Sequence, residues 1–352
     1  MPRKTFSLFD VGRGSWIVGR LFPLFPFPFS LLLCAAGVLA GIVSSAAVAA
    51  DRASDYPNKP IRFLLGQATG GGQDIISRAL AQRLTETLGQ SVIVDNRPGA
   101  SGTLATALAV KAAPDGYTAL IVSSTFAINP TLYKNLPFDQ KKDLQPVTQI
   151  ASAAFILLVH PSLPVGSVKE LIAHAKEKPG QLNYASGGIG NSGHLAAALF
   201  CSLAGVQLTH IPYKGTGLAM PDLLAGRVQI LFNSMIQGQP YARRRQLNAL
   251  AVTTAKRSAL MPELPTVAEA GVPGYEFLSW YGLMVPTGTP KSIITKLNGE
   301  IAHTLSLPDF KAQLGKDGSE AVGSTPEQFG AFLAAEMSKW AGIVRSSGMR
   351  VE

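Results

Sequence analysis

Residues 61–88 read IRFLLGQATGGGQDIISRALAQRLTETL, and this stretch decides the fold of the chain. The apolar run Ile61–Leu65 is typical of a buried strand, and the segment from Asp74 to Leu88 has the apolar spacing of a helix. Residues 66–74, the first glycine turn, join them. The N-terminus of a helix carries backbone N–H groups without intrahelical partners, and these groups favour a bound anion. The stretch therefore predicts a strand, a turn and a helix that hold a negatively charged small molecule.

A second segment of the same kind lies further along the chain. Residues 186–192, the second glycine turn, read SGGIGNS and stand between an apolar run at 182–185 and a helical pattern at 193–204. Glycine allows positive φ and close approach of the backbone to a ligand, and Asn191 or Ser192 suits the N-cap of the helix. Each turn alone also fits an ordinary strand-to-helix connection. Two such turns on separate sheets suggest two lobes that face each other across a cleft.

Short apolar runs alternate with helical patterns along the chain, which predicts an α/β protein with largely parallel sheets. Ligands of such folds bind outside the carboxyl ends of the strands. The predicted strands are residues 61–65, 91–94, 118–123, 154–160, 182–185, 208–211, 228–232, 249–253 and 281–285. The predicted helices are residues 74–88, 104–113, 168–176, 193–204, 218–224, 266–270, 292–305, 308–314 and 326–347.

The first 50 residues have the pattern of a cleaved signal peptide. Basic residues precede an apolar stretch at 21–43, and small residues follow at 44–50, where 47–49 or 48–50 fits the cleavage rule. Prolines at positions 23, 26 and 28 disfavour the alternative, an uncleaved membrane anchor. Cleavage would leave Cys201 as the one cysteine, which excludes an internal disulfide and favours a Gram-negative periplasm. We expect Cys201 to be a buried, inert core residue.

The charge pattern argues against nucleic-acid binding. The formal net charge is +9, and part of it belongs to the first 50 residues. The other basic residues are scattered, apart from Arg243-Arg244-Arg245, and aromatic residues do not alternate with them. We interpret the arginine run as the solvated end of a helix. The modest positive excess suits attraction of small anions.

Residue types with catalytic or metal-binding chemistry do not form a recognisable motif. The glycine run lacks the Gly-Lys-Ser/Thr of a phosphate loop, no Gly-x-Ser-x-Gly occurs, and the histidines lack zinc-ligand spacing. Turn or capping roles explain two of the four candidate aspartates, Asp115 and Asp222. The sequence therefore predicts no catalytic residue, no metal and no cofactor. The residues considered are Asp74, Asp95, Asp115, Asp222, His160, His174, His194, His210 and His303.

Asp74 and His194 each follow a glycine turn and have two interpretations. Asp74 lies in the first turn of its helix, where the helix dipole favours a carboxylate that can hold the preceding loop. The same side chain can also contact an amino or hydroxyl group of a ligand. His194 fits a capping or core residue better than a ligand contact.

Taken together, these motifs resemble the extracytoplasmic solute receptors of tripartite tricarboxylate transporters, the Bug-type receptors. The resemblance covers residues 56 to 350. It is carried by YPNKPIR (56–62), GGGQD (70–74), VDNRPGA (94–100), AAPDGYT (112–118), NYAS (183–186), HLA (194–196), HIPYKG (210–215), LPTVAEAG (264–271) and PTGTP (286–290).

The resemblance implies a two-lobed, type II-like Venus-flytrap receptor with mixed, mainly parallel sheets. Residues 51–155 with 276–352 would form lobe 1, and residues 156–275 lobe 2. A small carboxylate would be held by both turns, partly through water, and lobe closure would signal to the membrane subunits of the transporter. We expect a periplasmic monomer. The implied ligand-binding residues are Gln67, Ala68, Thr69, Gly70, Gly71, Gly72, Gln73, Asp74, Ser124, Thr125, Gly188, Gly190, Asn191, Ser192, His194 and Asn233.

The chain departs from the family's pattern at three places. Residues 66–69 (GQAT) stand where the family carries Pro-Phe-x-Ala, Asn191 stands for a threonine, and Asn233 for an aspartate. A pocket with these amides is more hydrophilic and less negative, which predicts a polar acid such as a hydroxy-di- or tricarboxylate. The same changes also fit a receptor that no longer binds the ligand class of the family. The alternative functions are a ligand-binding sensor that feeds a two-component system through a sensor kinase, and an exported α/β enzyme.

Overall fold

A computed structural model describes residues 55–316 and 318–347. The predicted signal peptide lies outside these residues. Within them, strands and helices alternate along the chain, as the sequence predicts. None of the helices within these residues is long and apolar enough to cross a membrane.

The elements are numbered in chain order. The strands are β1 (Ile61–Leu65), β2 (Val92–Asn96), β3 (Thr118–Ser123), β4 (Leu144–Val159), β5 (Asn183–Ser186), β6 (Thr209–Pro212), β7 (Ile230–Ser234), β8 (Asn248–Val252), β9 (Leu278–Pro286) and β10 (Ser319–Ala321). The α-helices are α1 (Gly72–Leu88), α2 (Thr103–Val110), α3 (Ser124–Leu132), α4 (Val168–Glu177), α5 (Ser192–Ala204), α6 (Thr216–Leu224), α7 (Met235–Arg243), α8 (Lys291–Ser306), α9 (Pro308–Lys316) and α10 (Pro326–Ser347). A short 3₁₀ helix, Ala100–Gly102, precedes α2.

The strands form one mixed sheet in the order β2-β1-β3-β9-β4-β7-β5-β6. β1 is parallel to β2 and β3, and β5 is parallel to β6 and β7. The long strands β4 and β9 lie between these two parallel groups and are antiparallel to their neighbours. The predicted α/β fold with mixed sheets is confirmed. The predominance of parallel pairing holds for the two flanks, whereas the centre of the sheet is antiparallel.

Strand β4 belongs to both halves of the sheet. Its residues from Leu144 to Ala154 pair with β9, and its residues from Phe155 to Val159 pair with β7. The register shifts twice along the first part, as between Pro146 and Thr148. β4 therefore carries the chain from one parallel group to the other, and its change of partner marks the border between the two halves.

Strand β1 shows why the sheet is covered on both faces. Phe63 and Leu65 pack into one apolar cluster, while Leu64 between them packs into another. All three side chains are fully buried. Parallel strands with helices on both faces read as continuous apolar runs. Each such side chain contributes about 1.5–3 kcal/mol of burial free energy.

One predicted helix, residues 266–270, is wrong. The segment forms a single turn, in which the Ala270 N–H donates to the Thr266 carbonyl at 2.9 Å. Thr266 and Glu269 cap each other's N–H groups at 3.0 Å, which is the sequence signature of a helix start. Gly271 then adopts a φ of 125° and the chain leaves the helical path.

Two surface predictions can be compared with the structure. Arg243 ends α7, and Arg243, Arg244 and Arg245 are exposed, so the interpretation as a solvated helix end is confirmed. Cys201 is only partly buried, which corrects the expectation of a fully buried residue. Burial nevertheless raises the pKa of its thiol to about 11, so the thiol is protonated and unreactive at neutral pH.

Candidate functional site

Four helices begin directly after strands, at the carboxyl ends of the two parallel groups. β1 leads through the first glycine turn into α1, and β5 leads through the second glycine turn into α5. β3 runs straight into α3, and β7 into α7. The two parallel groups run in opposite directions, so the unpaired N–H groups of the four helix N-termini face each other near the point where β4 changes its partner.

The first glycine turn is braced by Asp74. One carboxylate oxygen of Asp74 accepts the Gly70 N–H at 2.9 Å, and the other accepts Arg78 Nε at 2.9 Å. Burial acts to raise the pKa of this carboxyl, but the bonds from Arg78 and Gly70 outweigh it and hold the pKa below its usual range. Both oxygens therefore have protein partners, which agrees with the loop-holding interpretation of Asp74.

Arg78 extends this brace to the strand beside it. Its Nη2 donates to Asn96 Oδ1 at 2.8 Å, and Asn96 Nδ2 donates to the Gln67 carbonyl at 3.0 Å. Gly70 has a φ of 81°, a left-handed conformation that glycine adopts without strain. The turn is thus fixed at both ends, while Thr69 and Gly70 stay exposed at its tip.

The second glycine turn is fixed by two side chains of α5. Asn191 is the N-cap and accepts the His194 N–H at 3.0 Å, which confirms the predicted cap. His194 Nδ1 accepts the Gly190 N–H at 2.9 Å. His194 is therefore a buried residue that holds the turn, in agreement with the capping or core role that the sequence favours.

A stack of aromatic rings lies behind this turn. The rings of His194 and His210 are 3.9 Å apart, and Tyr184 stacks on His210 at 4.8 Å. His210 Nε2 lies 2.6 Å from Ser186 Oγ, which in turn accepts the Gly188 N–H at 3.1 Å. Burial, with a smaller effect of the neighbouring His210, lowers the pKa of His194 to about 3. Burial lowers the pKa of His210 to about 4. Both rings are neutral at neutral pH.

We expect the free energy of unfolding to decrease as the pH falls from about 6.5 to about 4. The unfolded chain binds protons on His194 and His210 in this range and the folded chain does not, so the slope approaches about 2.7 kcal/mol per pH unit for two protons. The measurement is urea unfolding at a series of pH values. His210→Gln should about halve the slope, and His303→Gln, an exposed control, should not change it. Equal stability of the wild type at pH 6.5 and pH 5 would contradict the assignment.

Strand β9 joins the starts of α1 and α5. Ser192 Oγ, at the first residue of α5, lies 3.3 Å from Ser279 Oγ of β9. A Cβ placed on Gly72, the first residue of α1, would lie 2.8 Å from Tyr281 Oη and 3.7 Å from Ser234 Oγ. Burial raises the pKa of Tyr281 to about 12, although a hydrogen bond with Ser279 acts to lower it, so the hydroxyl is protonated. Neutral hydroxyls thus line the space between the two helix N-termini.

Two buried polar atoms at the end of β7 have no partner among the described residues. They are Asn233 Nδ2 and Ser234 Oγ, and both residues are almost fully buried. Asn233 Oδ1 accepts the Ser234 N–H at 2.9 Å, which leaves the amide NH₂ of Asn233 as a free donor. Such groups in native structures normally have partners, so a ligand with acceptor atoms suits this place.

Each glycine turn contacts a residue of the opposite half of the sheet. Ser101 Oγ donates to the Ile189 carbonyl at 2.5 Å, and Gln237 Nε2 donates to the Gly70 carbonyl at 2.7 Å. A Cβ placed on Gly190 would lie 2.5 Å from Leu132 of α3. Each of the two sequence-predicted turns is therefore anchored to the opposite half of the fold.

The other predicted floor residues have different surroundings. Thr125 Oγ1 lies 2.8 Å from Ser123 Oγ. Ser124 is fully buried, and its Oγ accepts the Trp280 N–H of β9 at 3.3 Å. Ser124 is thus engaged by the protein backbone. Ala68 faces the other half of the cleft, with its Cβ 3.6 Å from a Cβ placed on Gly215.

Among the candidate residues, His194 and His210 meet in the ring stack, whereas three aspartates bond to other groups. Asp95 pairs with Arg97, Asp222 pairs with Arg227, and Asp115 accepts the N–H of Tyr117 in its own turn. The part of the chain that the structure describes holds no group of three or more His, Cys, Asp or Glu residues that fits a metal ion.

Residues 76–349 match the family model described as the tripartite tricarboxylate transporter family receptor. The chain belongs to this receptor family. BugT of Bordetella pertussis is 35% identical over 318 residues, which cover 90% of this chain and 98% of BugT. The predicted Bug-type family is confirmed.

Solved structures of receptors show the same fold. R. palustris Rpa4515 with adipate is 36% identical, has a TM-score of 0.81, and is matched over 84% of this chain and 100% of its own. The periplasmic binding protein BugD is 31% identical, has a TM-score of 0.79, and is matched over the same shares. The predicted two-lobed periplasmic binding protein fold is confirmed.

The structure locates the residues at the three places where the chain departs from the family's pattern. Gln67 lines a cavity behind the first glycine turn. The Asn191 side chain caps α5 and is engaged by the helix. Asn233, next to Ser234 on β7, has an NH₂ group without a partner among the described residues, where the family's aspartate would present a carboxylate. The receptor therefore offers a donor here in place of a negative charge.

Sequence reasoning missed several residues of the site. Ser279, Tyr281 and Ser234 are single hydroxyl residues in strands, Ser186 was included only as the first residue of the second glycine turn, and His210 was considered only as a metal ligand. The one local signal is that Ser186 and Ser234 end strands that lead into helices.

Proposed function

We propose that this chain is the extracytoplasmic receptor of a tripartite tricarboxylate transporter, and that it binds a small polar di- or tricarboxylate without converting it. It would act in the periplasm, as a monomer, after cleavage of residues 1–50. Closure around the acid would be read by the membrane subunits of the transporter. Family membership supports this proposal, and so does the adipate in the structure of a relative.

The convergence of the α1 and α5 N-termini carries the proposal. Helix N-termini bind carboxylates through free N–H groups and the positive end of the helix dipole. Ser192, Ser234 and Tyr281 add neutral hydroxyls at the same place. Asn233, the neighbour of Ser234 on β7, has an NH₂ group that is unpaired among the described residues. A carboxylate can satisfy these donors without a lysine or an arginine beside it.

The lobe boundaries remain part of the proposal. Residues 51–155 and 276–352 would form lobe 1, and residues 156–275 lobe 2. The change of partner along β4 between Ala154 and Phe155 supports the first boundary. The start of β9 at Leu278 supports the second. Both crossing segments are strands, so a hinge motion would bend the sheet at its centre.

Ser101→Ala is expected to weaken the binding of every acid by a similar factor of about five. The hydroxyl of Ser101 bonds across the cleft to the Ile189 carbonyl. One such bond contributes about 1 kcal/mol. It favours the closed cleft with every acid and does not discriminate between acids. Titration calorimetry with several acids measures the effect. Ser306→Ala, on the surface of α8, is the control. A changed order of acid preference would contradict the assignment, as would unchanged affinity.

The proposed function is tested by calorimetric titration of the purified protein with mono-, di- and tricarboxylates, followed by mass analysis of the recovered acid. We expect saturable binding of polar di- or tricarboxylates and recovery of the acid unchanged. Tight binding of apolar monoacids alone, or conversion of the acid, would contradict the proposal.

A further inference from the structure

A small cavity of about 20 Å³ lies behind the first glycine turn. This volume accommodates about one water-sized polar group. Gln67 and Gln73 from the turn, Thr125 from the start of α3, and Asn129 line it. All of its lining residues are uncharged. It therefore adjoins the residues that are predicted to bind the ligand, but it is not itself an anion site.

Two amide side chains present their oxygens without a partner. Gln73 Nε2 donates to the Ile121 carbonyl at 2.8 Å, and Asn129 Nδ2 donates to the Ser101 carbonyl at 3.2 Å. These bonds fix the orientation of both amides, because a flipped amide would place two oxygens together. Gln73 Oε1 and Asn129 Oδ1 have no partner among the described residues, and each residue is 1% exposed. An unpaired buried acceptor costs about 1–3 kcal/mol.

A hydroxyl pair lines the same cavity. Ser123 Oγ and Thr125 Oγ1 are 2.8 Å apart, and either can be the donor of their bond. Whichever donates, the other hydroxyl keeps a hydrogen that it can offer to a third group. The cavity therefore combines two strong acceptors with one donor, so a hydroxyl group in it can donate its one hydrogen to an amide oxygen and accept a hydrogen bond from the hydroxyl pair.

We propose that Gln73 and Asn129 form a subsite that binds a hydroxyl group of the ligand. This inference rests on the proposed function, since it assumes that an acid occupies the cleft. A methylene group in the cavity would leave both acceptors unpaired. An ammonium group would be buried among uncharged residues with no carboxylate to compensate it, which is costly. The subsite therefore selects a hydroxy acid over both its deoxy and its amino counterpart.

The test uses acids that differ in one group. We compare succinate with malate, glutarate with 2-hydroxyglutarate, and adipate with 2-hydroxyadipate by calorimetric titration, and add aspartate beside malate. In at least one pair the hydroxy acid should bind about tenfold more tightly, and aspartate should bind more weakly than malate. Equal or weaker binding of the hydroxy acid in every pair that binds would overturn the subsite and leave the receptor function standing. Binding of no acid at all would overturn both.

Gln140 provides a matched control for the variant. Like Gln73, it is buried, donates through Nε2 to a backbone carbonyl (that of Phe126, at 2.7 Å), and has an unpartnered Oε1 among the described residues. It does not line the cavity. Gln73→Met should reduce the tenfold preference to threefold or less, while Gln140→Met should keep it at a similar cost in stability. A preference that survives Gln73→Met, or that Gln140→Met removes equally, would overturn the inference.

Discussion

Gly72→Val is expected to lower carboxylate affinity about 100-fold, which corresponds to about 2.7 kcal/mol. Gly72 is the first residue of α1, and a Cβ there would lie 2.8 Å from Tyr281 Oη and 3.7 Å from Ser234 Oγ. The valine Cβ would clash with the Tyr281 hydroxyl and displace it from the start of α1, where the free N–H groups lie. The anion would lose both sets of donors. Titration calorimetry with the best-binding acid measures the loss.

Gly217 offers a control at an equivalent place in another helix. It is the second residue of α6, it is exposed, and a Cβ there has no heavy atom within 4 Å. Gly217→Val should retain wild-type affinity. Gly72→Ala should show an intermediate loss of about tenfold, which keeps the test valid if the valine variant folds poorly. Wild-type affinity in folded Gly72→Val would place the acid elsewhere.

Glu336→Leu is expected to lower the free energy of unfolding by about 3 kcal/mol. Glu336 Oε2 accepts the indole N–H of Trp280 at 2.9 Å and that of Trp340 at 3.0 Å. Both indoles are buried, so leucine would leave two donors unpaired, at about 1–3 kcal/mol each. Trp280 stands between Ser279 and Tyr281 on β9, so we also expect weaker acid binding.

Urea unfolding followed by tryptophan fluorescence measures this effect. Glu336→Gln keeps an acceptor oxygen and should lose only about 1 kcal/mol, since a neutral acceptor is weaker than a charged one. Glu86→Ala, which removes an exposed carboxylate from α1, should change stability by less than about 0.5 kcal/mol. A Glu336→Leu variant as stable as the Glu86→Ala control would show that the two indoles do not depend on this carboxylate.

Local sequence patterns predict those elements whose own residues carry an uninterrupted apolar pattern. β1 and β3 lie at the predicted residues, because short runs of buried apolar side chains mark strands covered on both faces. α10 also matches its prediction, since Pro326 marks its first residue and an apolar face continues to its end. The first part of β4 was missed because Pro146 and polar residues interrupt the apolar run. Its pairing with β9, more than 100 residues away, stabilises it.

Helices α3 and α7 were missed for a related reason. Each contains a proline, Pro130 and Pro240, in a short and mixed sequence that does not show a helical pattern. The three-residue strand β10 exists only through its pairing with β4. These elements depend on tertiary contacts that a single sequence does not display.

The candidate site also contains residues that the local sequence predicts and residues that it does not. The glycine turns and the Asn191 cap follow from residues within a few positions of each other, and the sequence predicts them. Ser279 and Tyr281 meet these turns from β9, far along the chain, and neither belongs to a motif. Ser101 was not predicted either. It lies in a run of positive φ angles: Gly99 142°, Ala100 45°, Ser101 54° and Gly102 85°. Such strain is visible only in the folded backbone.

The central claim is that one ligand carboxylate lies where the N-termini of α1 and α5 meet. A crystal structure of the protein with its best-binding acid tests it most directly. We expect a carboxylate oxygen about 2.7–3.2 Å from the N–H groups that open α1. We also expect hydrogen bonds from the same ligand to the second glycine turn and to Ser234 or Asn233. A carboxylate bound outside the cleft, or held by an arginine or a lysine away from both helix N-termini, would contradict the account.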